Sequence, residues 1–318
     1  MSAIRFENVS KQFTNAAQPA VDDVTFVVEE GSFVVLLGPS GCGKTTLLKM
    51  INRLYEPSNG TIYLGDDNIR QMDATQLRRQ IGYVIQQIGL FPHMTVAQNV
   101  AIVPELLQWD EERVSARVDE LLTLVDLPPD VYRGRYPSQM SGGQRQRVGV
   151  ARALAGDPGV ILMDEPFGAI DAITRTGLQS ELLRLQRKLR KTIVFVTHDV
   201  EEALRLADKI VIMRDGRIVQ YDTPFNILSH PANPFVRDLI GADDIVRQLS
   251  LIRVESAMEP LPADYGPNGY PTIGCDDTLR QALSVLLGSA APALTVLDAE
   301  QPVGLLTLAA IQNSAGET

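Results

Sequence analysis

Gly38-Pro39-Ser40-Gly41-Cys42-Gly43-Lys44-Thr45-Thr46 follows the apolar run Phe33-Val34-Val35-Leu36-Leu37 and leads into a helical pattern that opens at Thr45. The stretch fits G-x-x-x-x-G-K-S/T and stands in the strand-to-helix setting which that motif needs. A strand delivers the chain, the glycines let the backbone turn with its N–H groups inward, and the positive end of the next helix faces the same space. These features predict a polyphosphate site. Lys44 is expected to reach the β- and γ-phosphates. The Thr45 hydroxyl is expected to complete a Mg²⁺ shell made otherwise of phosphate oxygens and water.

Composition limits what surrounds such a loop. At 318 residues the chain can hold one large domain and a small one, each with its own core. A hydrophobic content of 45% with 21% charged residues is that of a folded protein. The net charge of −10 and pI near 4.9 argue against a nucleic-acid binder, which needs a basic face to displace counterions. The two cysteines, Cys42 and Cys275, suggest no disulfide framework and a reducing compartment. Neither a basic-then-apolar leader nor a run of about 18 apolar residues is read in the chain, so any link to a membrane is expected to go through partners.

Outward from the loop, Ile4 to Val9 and Val24 to Val28 read as strands. Phe13 stands between them, either as a half-buried core residue or as a platform for a purine ring, a contact worth about 1–3 kcal/mol. Gly82 to Gln87 reads as a strand ending in two amides, of which Gln86 can ligate Mg²⁺ through its carbonyl. Residues 95 to 126 look helical, with Thr95 as cap. Met140-Ser141-Gly142-Gly143-Gln144 gives a serine-capped helix start with two glycines, a second anion site in the same chain.

Val160 to Met163 is a buried strand ending in Asp164 and Glu165. Neighbours on a strand point oppositely and the chain turns at Pro166, so Asp164 is expected on the Mg²⁺ side and Glu165 toward an attacking water. Gly168-Ala169-Ile170-Asp171 follows as an acidic loop. The strand Thr192 to Thr197 ends in His198, one of three histidines, at the strand-end edge where open α/β sheets bind ligands. Lys209 to Met213 and Arg217 to Tyr221 read as a hairpin about Asp215-Gly216.

This ordered set resembles the nucleotide-binding subunit of an ABC transporter over residues 1–240. The resemblance implies an α/β P-loop NTPase of the ABC ATPase type, with a RecA-like core, an antiparallel β subdomain and a helical subdomain over about 88–155. It implies Phe13 as the adenine-stacking aromatic, Gly38 to Thr46 as Walker A, and Gln86 as the Q-loop glutamine. Met140 to Gln144 then corresponds to the signature LSGGQ, with Met for Leu. Asp164 and Glu165 match the Walker B aspartate and catalytic glutamate, Asp171 the D-loop acid, and His198 the switch histidine. The cofactors implied are ATP and Mg²⁺, held between Walker A of one copy and the signature of a second copy, head to tail. Two anion sites on one chain then make sense.

Leu90 to Val96 resembles importer ATPases, and Tyr83 to His93 is similar to those that import glycine betaine, carnitine, choline and proline. Expected partners are two membrane permease subunits and an extracytoplasmic binding protein, with the chain on the cytoplasmic face of the cell membrane. Another substrate, such as an amino acid or a betaine-like thiol, stays open. A soluble ABC ATPase acting on ribosomes or DNA fits less well, since such proteins carry two cassettes or a long coiled-coil insertion. Residues 241–318 read as a linker and a single CBS-like repeat with a small α/β order. Ala310 stands where nucleotide-binding repeats often carry an acid. Finally, an exposed Cys42 beside Lys44 predicts a lowered thiol pKa and inactivation by thiol reagents, with protection by MgATP.

Overall fold

The computed structural model describes residues 2–14, 16–86, 89–168, 170–242, 244–261 and 269–316. Gln87, Ile88 and Ala169, which belong to the motifs quoted above, lie outside the described residues. Residues 1–221 and 222–318 form two compact units.

The first unit begins with β1 (Ser2–Lys11), β2 (Val21–Glu29), β3 (Phe33–Leu37), β4 (Asn59–Leu64) and β5 (Asp67–Asn68). It continues with β6 (Ile81–Val84), β7 (Val160–Asp164), β8 (Thr192–Thr197), β9 (Lys209–Arg214) and β10 (Arg217–Asp222). Two sheets result, ordered β2-β1-β4-β5 and β10-β9-β3-β8-β7-β6. Every residue of β3, β7 and β8 is buried, which is why these strands read as unbroken apolar runs, and they pair in parallel. By contrast β2 alternates buried and exposed residues, the pattern of an antiparallel strand with one wet face. At the turn from β9 to β10, Asp215 and Gly216 take φ of 49° and 81°, as a tight hairpin of the expected kind requires.

The two sheets share one core. Phe6 and Phe26 stack with centroids 4.3 Å apart and belong to the same cluster as Leu36, Leu47, Leu162 and Val196. The two rings face each other across β1 and β2 of one sheet, on the side it turns to the shared core, and truncating either would cost about 3–5 kcal/mol.

The helices of this unit are α1 (Lys44–Ile51), α2 (Ala74–Arg79), α3 (Val96–Leu106), α4 (Glu111–Leu124), α5 (Pro129–Tyr132), α6 (Gly142–Leu154), α7 (Ala172–Leu189) and α8 (Val200–Leu206). Thr95 caps α3 as expected, in a capping box with Gln98. The stretch 95–126 is helical as expected, in two helices. Gln108 takes φ 58°, and Asp110 caps α4 by accepting from the Arg113 N–H at 2.8 Å.

In the second unit, α9 (Pro224–Ser229), α10 (Pro234–Ile240) and α11 (Ile245–Leu249) precede β11 (Glu259–Pro260) and β12 (Thr272–Gly274). Then come α12 (Leu279–Ser289), β13 (Ala293–Asp298), β14 (Gln301–Thr307) and α13 (Leu308–Gly316). The compact nucleotide unit therefore ends at Tyr221, and α9 and α10, which the sequence reading carries with it to residue 240, group with the C-terminal unit. The sheet order is β11-β14-β13-β12, over a core that includes Leu249, Leu279, Leu294, Leu306 and Ile311. Ala310 is buried, and its N–H donates to Thr307 Oγ1 at 3.1 Å. Among the described residues no helix is long and apolar enough to cross a membrane.

Candidate active site

The loop between β3 and α1 is shaped by its glycines. Gly41 and Gly43 take φ of 81° and 107°. A Cβ on Gly43 would lie 2.2 Å from the Ala20 carbonyl oxygen, so only a hydrogen fits there. Gly43 also caps α1 without any side-chain hydrogen bond, which leaves the first N–H groups of α1 to a ligand. Ser40 and Gly41 are exposed at the tip of the loop. Lys44 is buried, and its Nζ donates to Gly38 O at 2.7 Å and Pro39 O at 2.9 Å, inside the loop that it closes.

Cys42 departs from expectation. It is 3% exposed and packs into the core shared by the two sheets. Burial pushes its thiol up, even though the Lys44 ammonium lies 3.7 Å from the sulfur. The expected exposed, acidified thiol is thus corrected. Under native conditions an alkylating reagent is expected to leave Cys42 unmodified by mass spectrometry and to label it after denaturation. Fast native labelling that MgATP slows would restore the first expectation.

The ends of β7 and β8 bring the acids to the loop. Asp164 Oδ1 accepts from the Thr45 hydroxyl at 2.9 Å. Burial raises the Asp164 carboxyl above the usual carboxylate range, against the opposing Thr45 hydrogen bond and the Lys49 and Lys44 charges. One residue on, Glu165 turns to other partners. Its Oε2 accepts from Gln86 Nε2 at 3.0 Å, and its Oε1 lies 3.2 Å from His198 Nδ1. Glu165 takes φ 43°, a left-handed conformation strained for a side chain with a Cβ. Its backbone is held there by its N–H bond to Val196 O at 3.0 Å and by Gly168 N–H donating to Glu165 O at 3.2 Å. Strand β6 stops at Val84, so Gln86 reaches Glu165 from the loop beyond it.

The signature stretch lies at the start of α6. The Ser141 hydroxyl accepts from the Gln144 N–H at 3.3 Å, and the Gln144 side-chain Oε1 accepts from the Ser141 N–H at 3.0 Å. A Cβ on Gly142 would meet nothing within 4 Å, while one on Gly143 would lie 2.8 Å from Thr174 Cγ2. The Gln144 amide donates to the Tyr132 hydroxyl at 3.1 Å, a partner no sequence pattern points to. Asp171 caps α7, accepting from the Thr174 N–H at 3.0 Å. Phe13 is half-buried, edge-on to Tyr55 at 5.2 Å and beneath the Lys11 ammonium at 5.2 Å. Thus Lys44, Thr45, Gln86, Asp164, Glu165 and His198 form one connected cluster with the loop. Among the described residues the side-chain hydrogen bonds of Ser141 and Gln144 run to one another and to Tyr132, and the Ser141 carbonyl accepts from the Arg145 N–H at 3.0 Å.

A parallel sheet with a glycine loop, paired acids, an amide and a histidine at one edge defines a nucleotide hydrolase. The family described as ABC transporter matches residues 21–168. The glycine betaine/carnitine/choline transport ATP-binding protein OpuCA of Bacillus subtilis is 51% identical over 296 residues, which is 93% of this chain and 75% of that protein. The osmoprotectant import ATP-binding protein OsmV of Salmonella typhimurium is 46% identical over 317 residues, 98% of this chain and 81% of that one. A dimeric ATP-binding cassette solved in a post-hydrolysis state with ADP and phosphate superposes with a TM-score of 0.62 at 33% identity, over 70% of this chain and 98% of that one. The chain belongs to the ABC transporter ATP-binding family, and it is an ATPase of that family. Both of these relatives, matched over 93% or more of this chain, are ATP-binding proteins of osmoprotectant or quaternary-amine transport.

Proposed function

We propose that this chain powers an importer of osmoprotectant quaternary amines, working as a head-to-tail pair of copies. Two observations carry the reading: the cluster in which Glu165 is held between Gln86 and His198 beside the phosphate loop, and the 51% identity to a glycine betaine, carnitine and choline transport subunit. In the pair, Ser141 to Gln144 of the second copy covers the phosphates that rest on Gly38 to Thr46 of the first.

Thr45 and Asp164 offer adjacent oxygens, and Gln86 its carbonyl, while the described residues contain no group of three His, Cys, Asp or Glu able to hold a metal alone. That donor set suits a Mg²⁺ that arrives with the nucleotide and keeps phosphate and water ligands. When bound, it neutralises charge on the phosphate oxygens. Lys44 holds the β- and γ-phosphates. Glu165 accepts a proton from the attacking water, with its carboxylate aimed by Gln86 and His198. His198 holds the γ-phosphate, Phe13 stacks on the adenine, and Asp171 faces the second copy.

The membrane subunits would engage the groove beside Gln86. A cavity of about 350 Å³ there is lined by Tyr83, Gly89, Phe91 and Arg152, and Phe91 is 44% exposed. Arg152 steadies its rim by donating to Gly89 O at 2.6 Å. The chain would thereby sit at the cytoplasmic face of the membrane. We assign the CBS-like unit to regulation or support of the pair. A chain lacking residues 245–318 that assembles and responds to ionic strength like the parent would remove that role.

The whole reading is tested by copurifying the chain with its permease and binding protein and following uptake of labelled glycine betaine, choline, carnitine and proline. Phe91→Asp is expected to abolish uptake while the isolated subunit keeps its ATPase rate. Uptake of none of the four compounds would overturn the substrate class, and normal uptake by Phe91→Asp would overturn the docking groove.

A further inference from the structure

His198 has a 62% exposed side chain, yet its position must be reproduced in every cycle. What fixes it lies on either side in the chain. The Thr197 hydroxyl is buried and does two things: it donates to Glu202 Oε2 at 2.7 Å and accepts from the Asp199 N–H at 3.0 Å. Glu202 is itself only 6% exposed, and its other oxygen accepts from the buried Gln179 amide of α7 at 3.2 Å. Asp199 Oδ1 caps α8, accepting from the N–H groups of Glu201 and Glu202 at 2.9 and 3.3 Å. Its Oδ2 pairs with Arg175 of α7 at 3.5 Å, and Arg175 also donates to Ile170 O at 2.9 Å, next to Asp171.

From this geometry we infer that Glu202 is a positioning residue for ATP hydrolysis: it ties the turn Thr197–His198–Asp199 to α7, so that His198 and the acidic segment ending at Asp171 keep one fixed relation. A buried carboxylate is a demanding choice for a mere packing position, since it needs its acceptors filled, and here both are. Burial pushes the Glu202 carboxyl up and the Asp199 charge adds to this, while the Thr197 and Gln179 hydrogen bonds and the Arg175 charge oppose it. An apolar side chain of similar size would leave the Thr197 hydroxyl and the Gln179 amide without their acceptor. The turn would then be free to shift while the phosphate loop, on β3 and α1, stayed in place. The inference rests on the role proposed for His198.

Steady-state ATP hydrolysis by the full chain in its transporter complex tests it with four variants. Glu202→Leu is expected to lower kcat about tenfold or more with KM for ATP within about twofold, the signature of a contact that matters after ATP is bound. Glu202→Gln keeps an acceptor for Thr197, and its amide can pair with a turned Gln179, so it is expected to recover most of the rate. Thr197→Val, a smaller change that leaves Glu202 in place, should lower kcat in the same direction without unfolding, and it decides the matter where Glu202→Leu fails to fold. His198→Ala is expected to lose hydrolysis. If Glu202→Leu keeps the parent kcat, or if its loss appears in KM, the inference is overturned while the His198 reading stands. A Glu202→Gln chain as impaired as Glu202→Leu, or a Thr197→Val chain at the parent rate, also overturns it. Should His198→Ala hydrolyse ATP at the parent rate, the His198 reading falls first and takes this inference with it.

Discussion

Glu165→Gln is expected to lower ATP turnover by about 10²–10⁴-fold, the range for loss of a positioned general base, while ATP binding persists. The substitution changes little in shape. A glutamine keeps the carbonyl that can accept from Gln86 Nε2, now 3.0 Å from Oε2, and leaves an amide nitrogen where the carboxylate oxygen facing His198 stood. What it removes is the negative charge that draws a proton from water. Loop residues Gly38 to Thr46 are untouched, so nucleotide is retained and a pair of copies should accumulate in the ATP-bound form. Size-exclusion chromatography with ATP, read beside single-turnover hydrolysis, checks both halves of the expectation. A variant hydrolysing at the parent rate would strip Glu165 of its role, and a monomeric variant in ATP would remove the head-to-tail pair.

The second large effect belongs to Gly43. Its Cβ would stand 2.2 Å from Ala20 O, and φ of 107° adds left-handed strain, so Gly43→Ala forces the loop off its path. Loss of about 3 kcal/mol of binding corresponds to an ATP affinity weaker by about 100-fold. Gly41 provides the internal comparison. With φ 81° and nothing within 4 Å of a Cβ, Gly41→Ala meets only the conformational penalty of about 1–2 kcal/mol. Titration calorimetry with ATP should therefore rank the parent first, Gly41→Ala second and Gly43→Ala last. Equal losses in the two variants would mean that the contact with Ala20 does not shape the cradle.

These contrasts mark where the sequence was legible. The buried strands β3, β7 and β8 announce themselves as apolar runs because both of their faces are covered, and the Ser141 cap and the Asp215-Gly216 hairpin are local signals that need no knowledge of the rest of the chain. The family likeness, carried by the same motifs, agrees with the relatives found. Through-space pairings were harder to read. Nothing near Cys42 says that its side of the loop faces a core while Gly41 faces outward, because that is decided by strands from elsewhere in the unit. The break at Gln108 inside the helical stretch 95–126 is not legible, because a glutamine with φ 58° has no signature in sequence. Likewise Glu202 reads as one more helix-surface acid until Thr197 and Gln179 are seen to close on it. The unit boundary at Tyr221 is set by which helices pack together: Pro224, Pro231 and Pro234 punctuate the chain there but do not say which unit α9 and α10 join.

One feature of the loop bears on how quickly the site can work. Lys44 is only 5% exposed, and its ammonium is already held by the carbonyls of Gly38 and Pro39. Stripping an ammonium of water is costly, and here folding does it once, before any nucleotide arrives. On the role proposed for Lys44, phosphate oxygens would replace two neutral carbonyls at a charge already withdrawn from water, gaining stronger, charge-assisted bonds with little solvent to reorganise. The dehydration of the cation thus belongs to the stability of the fold rather than to the catalytic cycle, and each new ATP meets a preorganised partner.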